Sequence, residues 1–316
     1  MKPFRFCISL VVCAALLCHS CDSTGFIPAD TDEIIVEGWI EEGQFPIVML
    51  TRSLPVRLKD QEVNLNRIGD FVVLWAKVTV SNGSDSVLLT GKLDNGYMPS
   101  FIYTTSDPGF KGEAGRTYTL RVETDGKTLT SSTTIPLYPP AVDSVVCRSL
   151  PTDTSSAVTV YVSNVPDRKE YYKVFFRQGS DRKQFTSAHL GIIDDALADS
   201  AIVIPVFKSV KDDNKEDQSR YFPNDTLVSI KVSAMGKESY DFWLSYSNNS
   251  SLGSLSNLLF GSSLKDIPTN ITGGRGYWFG YNSFVHTFHV SPGTYPGNAS
   301  PNASVESTMR SADVSS

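Results

Sequence analysis

Beyond the first twenty residues the chain carries three histidines, His189, His286 and His289. A zinc site needs three or four converging His, Cys or carboxylate ligands. His286 and His289 stand three apart in Asn-Ser-Phe-Val-His-Thr-Phe-His-Val, and on an extended strand that spacing sends them to opposite faces. A shared ion is therefore not expected, and no metal ligand is assigned. Serine is plentiful, but no Gly-x-Ser-x-Gly elbow presents one as a nucleophile. The run Gly-Gly-Arg-Gly at 273–276 also lacks the Gly-Lys-Ser/Thr that handles phosphate and magnesium. Glu37 and Glu41 would make a hydrolase acid/base pair only at a defined separation in space, and surface structural roles fit them better. Cys147, in the apolar run 141–147, reads as a small buried hydrophobe rather than a reactive thiol. These residues predict neither a catalytic site nor a cofactor.

One segment does invite a functional reading. In residues 268–288, Gly273, Gly274, Gly276 and Gly280 are interleaved with Tyr277, Trp278, Phe279 and Tyr281. Large rings offer contact area at low rotamer cost, and glycines let another backbone approach. An interaction surface is accordingly expected around Gly273, Gly274, Gly276, Tyr277, Trp278 and Tyr281, with at least one of the three named rings exposed. The competing reading is a bulged strand whose aromatics seal a core.

The start of the chain has a different chemistry. Lys2 and Arg5 precede an apolar run from Cys7 to Cys18, which is the charged and hydrophobic pattern of an export signal. The run is shorter than the roughly 20 residues of a membrane-spanning helix, and polar sequence follows it. Cleavage before Cys21 would free a thiol for lipid modification, with Cys18 as the alternative site and an ordinary secretory signal as the other reading. Removing residues 1–20 leaves 26 basic against 34 acidic side chains, a net charge of −8, which discourages nucleic-acid binding. With Cys21 lipidated, only Cys147 remains outside the signal, so no intrachain disulfide is expected.

The elements that must position these residues are strands. Short runs with alternating apolar residues recur at 34–40, 46–53, 71–82, 86–93 and 116–126, and Asn82-Gly83 and Asp125-Gly126 supply tight turns. Pro136, Pro139 and Pro140 then break the pattern. Further strands are expected at 144–150, at 155–165, within 170–180 with Lys173 on a wet face, and within 225–235 with Ser229 and Lys231 on a wet face. Residues 210–225 read as a charged loop, and 237–249 as a short helix docking through Tyr240, Trp243 and Leu244. The expected fold is all-β, with two antiparallel β-sandwich-like domains of immunoglobulin-like size, the second carrying the helix and long loops. The expected division is signal peptide 1–20, tether 21–32, N-terminal domain 33–138, C-terminal domain 139–290 and disordered tail 291–316.

Residues 33–56, with Val36, Glu37, Gly38 and Trp39, together with Tyr-Tyr-Lys-Val-Phe-Phe-Arg-Gln-Gly at 171–179 and Asn270 to Ser283, resemble the Bacteroidetes lipoproteins classed as DUF4249, a family of unknown function. The resemblance covers residues 21–289. It implies an outer-membrane lipoprotein, facing the periplasm or the cell surface and partnered by a TonB-dependent transporter. The expected function is an accessory or binding role in nutrient uptake. A structural module of a surface assembly is the alternative, and a hydrolase on a β scaffold comes third.

Overall fold

The computed structural model describes residues 33–53, 69, 71–150, 154–166, 168–180, 184–197, 201–209, 220–249, 267–291 and 295–298. The signal, Cys21, the tether and residues 210–219 of the charged loop lie outside these.

Period-two patterning becomes strand wherever a tight turn lets the chain reverse. Strands β1 (Ile34–Glu41), β2 (Ile47–Arg52), β3 (Lys77–Ser81), β4 (Ser86–Leu93), β5 (Phe101–Thr104), β6 (Thr117–Thr124) and β7 (Lys127–Thr134) make up the first half. Asp125 (φ 51°) and Gly126 (φ 72°) form the left-handed turn between β6 and β7. Asn82 closes the β3–β4 turn, its Oδ1 accepting from the Ser84 and Asp85 amides at 3.0 and 2.8 Å. The strand expected over 71–82 is shorter, since only 77–81 pair along its length. Strand β7, Lys-Thr-Leu-Thr-Ser-Ser-Thr-Thr, was not anticipated, because its apolar signal rests on Leu129 alone.

The second half comprises β8 (Val142–Ser149), β9 (Ser155–Ser163), β10 (Tyr171–Gln178), β11 (Thr186–Asp194), β12 (Ala201–Val206), β13 (Phe222–Pro223), β14 (Leu227–Met235), helix α1 (Lys237–Asn249), β15 (Arg275–His289) and β16 (Tyr295–Asn298). The helix occupies the span expected of it. Within the tail expected to be disordered, residues 295–298 form β16, which pairs with β8 from Cys147 back to Ser144, and residues 299–316 lie outside the described residues. Backbone pairing needs no periodic apolar pattern, so composition did not reveal it.

Two sheets result. The larger runs β11-β10-β14-β15-β1-β2-β5-β4-β3-β6-β7, and the smaller β12-β9-β8-β16 with β13 beside β9. Among the described strands pairing is antiparallel except between β1 and β15, which run parallel from Ile35 opposite Arg275 to Glu41 opposite Tyr281. That pair departs from the wholly antiparallel expectation. It carries one continuous sheet across the proline segment, joining strands from both expected domains. Two apolar clusters nevertheless fall on either side of that segment. Val36, Val78, Leu120, Leu129 and Ile135 share the first with Ile271 and Trp278, which arrive from the far end of the chain. The second packs Val145, Val160 and Ile204 of the smaller sheet against Val174, Ile230 and Val232 of the larger. Cys147 is buried in this second cluster, and burial pushes its thiol pKa up.

Candidate functional site

Strand β15 is built so that other backbone passes close by. Gly276 has φ 105°, and a Cβ there would lie 1.8 Å from the Val36 carbonyl oxygen. At Gly273 (φ 88°) a Cβ would lie 2.5 Å from the Thr128 carbonyl oxygen. These glycines therefore admit the chain's own strands β1 and β7 and not an external partner. The Gly280 amide donates to Thr133 Oγ1 at 2.8 Å. Asn270 brackets Trp278 from the other edge, donating to its carbonyl at 2.7 Å and accepting from its amide at 2.9 Å.

The rings follow the strand period. Trp278, fully buried, enters the first cluster and donates from Nε1 to the Tyr118 carbonyl at 3.0 Å. Tyr277, Phe279 and Tyr281 point the other way and lie beneath α1. Tyr277 and Tyr281 are each 3% exposed, so the expectation of an exposed ring is corrected: all three expected rings fill the interior. The physical reason is that β15 is an inner strand with both faces covered, whereas the surface reading needed one face open.

The helix docks differently from its expected stripe. Ser239, Phe242, Trp243 and Tyr246 are buried, while Leu244 is exposed. Phe242 packs on Tyr277 and Phe279 with ring centroids 5.0 and 5.3 Å away, and Trp243 donates to the Tyr281 hydroxyl at 3.0 Å. Charges that the sequence reading assigned to solvent are buried on this face, Glu37 and Lys173 by the helix and Lys231 with Glu41 among the Phe175, Phe185 and Tyr281 rings. The Tyr277 hydroxyl donates to Glu37 Oε1 at 2.8 Å, and burial raises the Glu37 pKa to about 7 despite that bond. Lys231 Nζ donates to Glu41 Oε1 at 2.5 Å, and the Ser283 hydroxyl donates to Glu41 Oε2 at 3.1 Å. Lys173 donates to the Ala188 carbonyl at 3.0 Å and sits 5.3 Å from the Trp243 ring; burial lowers its pKa to about 7.

Glu37, Glu41, Lys173 and Lys231 are thus corrected from surface to interior. The signal that could have shown this was Phe175, an aromatic on the supposedly wet face of β10 beside Lys173. Four residues along a strand separate the Glu37 and Glu41 Cα atoms by roughly 13 Å, and each carboxylate has its own partner. They form no converged acid/base pair. Among the described residues no group of three His, Cys, Asp or Glu is placed to hold a metal. His286 instead lies between Phe284 and Phe288, with ring centroids 6.5 and 5.5 Å away.

Open to solvent is a cleft of about 720 Å³ between the outer face of β6 and β7, the start of α1 and residues 268–272. Thr119, Thr130 and Ser132 present hydroxyls on the strand side, and Glu238 and Asp241 present carboxylates on the helix side. Thr119 and Ser132 are bonded to each other at 2.8 Å, and Asp241 takes Lys237 at 2.6 Å. Ser131 also lines the cleft, and its buried hydroxyl has no hydrogen-bond partner. The arrangement can bind a polar group by hydrogen bonding. The sequence reading missed this region because a hydroxyl-rich strand is hard to tell from loop; its one signal was the Asp-Gly turn just before it.

Comparison with protein families matches residues 23–286 to a domain of unknown function, DUF4249. Comparison with curated proteins finds no match.

Proposed function

We propose, for a chain that belongs to the DUF4249 family, a binding role in place of a catalytic one. It is an accessory or binding lipoprotein of an outer-membrane uptake complex, anchored through Cys21 and partnered by a TonB-dependent transporter. In this reading residues 33–138 and 139–290 are two sandwich-like domains held together by the β1–β15 pair. The cleft carries the proposal. Its accessible groups are hydroxyls and carboxylates suited to holding a polar surface, whereas the titratable groups near neutrality, Glu37 and Lys173, are sealed beneath α1. The export signal and the resemblance to lipoproteins supply the location.

Affinity capture from detergent-solubilised outer membrane tests the reading, with wild type compared against Thr130→Arg/Ser132→Arg, which fills the cleft mouth. The expected result is a co-purifying transporter with wild type and its loss with the variant at unchanged circular dichroism. Equal capture by both proteins, or no transporter with wild type, overturns the assignment.

A further inference from the structure

The strand registers bring one end of the large sheet to a common edge. There β1, β3, β5, β7 and β15 begin, and β2, β4 and β6 end. The chain enters the described structure at this edge, where the Ser53 amide donates to the Glu33 carbonyl at 2.9 Å. The same edge carries three large apolar side chains turned to solvent: Trp75 is 90% exposed, Leu93 78% and Leu74 45%. Leu74 and Trp75 are held there by the Val73 amide, which donates to the Leu50 carbonyl at 2.9 Å, and by Thr124 Oγ1, which donates to the Trp75 carbonyl at 3.3 Å. Leu93 ends β4 opposite Phe101. The loop is thus fixed by the fold while its rings and branched chains are not covered. Large exposed apolar groups gathered at one end of a sheet mark a contact surface.

The electrostatics of the edge differ from those of the whole chain, whose net charge is −6. Among the described residues here each acid has a basic partner, Asp125 with Arg52, Glu123 with Lys77 at 3.1 Å, Asp94 with Lys92 at 3.9 Å and Glu33 with Arg275 at 3.8 Å. The described part of this end therefore carries no unmatched acid beside its apolar tip. Tryptophan suits the boundary between hydrocarbon and headgroups, because its ring is apolar and its N–H can stay wet.

We propose that this edge rests on the lipid surface, with the Leu74-Trp75 loop and Leu93 seated in the bilayer interface. The proposal takes its direction from the anchoring at Cys21 proposed above. Twelve residue steps from Cys21 to Glu33 reach at most about 42 Å, so a lipid on Cys21 keeps this end of the sheet close to the membrane. The apolar tip then adds a second contact to a single lipid anchor and sets the orientation of the domain.

The test replaces the natural anchor so that it stands apart from the lipidation of Cys21. Protein beginning at Asp22 with an N-terminal histidine tag is held on phosphatidylcholine vesicles containing a nickel-chelating lipid, with or without brominated acyl chains. The emission of wild type minus that of Trp75→Phe isolates Trp75. The expected result is a blue shift on tethering and loss of most of that difference emission in brominated vesicles, with the loss reduced in Leu74→Ser/Leu93→Ser. Trp75 emission that does not respond to brominated lipid while the protein remains on the vesicles overturns the proposal. Emission that moves only on adding detergent-extracted outer-membrane protein also overturns it, and assigns the edge to a protein partner. Mass spectrometry of the native N-terminus decides Cys21 separately, so failure of the anchor reading and failure of the edge reading are distinct results.

Discussion

Replacing Glu37 with glutamine should stabilise the protein, and only above acidic pH. Glu37 is 5% exposed and its pKa is raised from 4.5 to about 7, first by burial and against the lowering effect of the Tyr277 hydrogen bond. Below pH 4.5 the carboxyl is protonated in both folded and unfolded states and contributes no pH dependence. Between 4.5 and about 7 the unfolded chain loses this proton and the folded chain keeps it, so wild-type stability falls as pH rises. Above pH 7 the loss is complete. A difference of about 2.5 pH units at ~1.36 kcal/mol each amounts to about 3 kcal/mol. Glutamine carries no charge to desolvate, and its amide oxygen can still accept from the Tyr277 hydroxyl. Urea denaturation of wild type and Glu37→Gln at pH 4 and pH 8 measures the effect. The variant should match wild type within ~1 kcal/mol at pH 4 and exceed it by about 3 kcal/mol at pH 8. A variant less stable at pH 8, or a difference that does not change with pH, would show that the ionised form is not penalised and that the reasoning fails.

Lys173 should show the opposite slope. With its pKa lowered from 10.5 to about 7, the unfolded chain binds a proton that the folded chain lacks across that window, so wild-type stability rises with pH. Lys173→Met should therefore be more stable by roughly 2–4 kcal/mol at pH 6, after the cost of the lost bond to the Ala188 carbonyl, and should lose that advantage by pH 10.5 in the same denaturation assay. Trp278→Ala removes a fully buried ring and its hydrogen bond to the Tyr118 carbonyl, which should cost ~3–5 kcal/mol and lower the thermal midpoint. Lys231→Met leaves Glu41 buried beside Ser283 alone and should cost ~3–5 kcal/mol, whereas Lys231→Met/Glu41→Met should recover most of it. A double variant as unstable as the single one would show that the ion pair is not what the substitution disrupts.

Local pattern and turn chemistry made much of the framework legible from the residues alone. β1, β4 and β6 fall where alternation placed them, and Asp125-Gly126 turns the chain because those residues accept positive φ. α1 likewise spans the predicted 237–249. Such features depend on neighbours within a few positions, which a sequence states directly. The resemblance read from the contiguous motifs Val36 to Trp39 and Asn270 to Gly280 named the same family that residues 23–286 match.

Only the tertiary structure decided what lies on each face. The alternation in β10 and β14 is real, but which of its two faces meets water depends on whether another element covers it. α1 covers part of the one that looked wet, over Lys173 and Glu37, while the Phe185 ring lies over Lys231, and so Lys173, Lys231, Glu37 and Glu41 became interior charges with partners up to 242 residues away. The same physics converted Tyr277, Trp278 and Tyr281 from a candidate surface into core, because β1 arrives in parallel along β15 and only glycine at 276 leaves room for the Val36 carbonyl. A strand's period is written in its own residues, whereas its burial is set by distant chain that no local pattern specifies.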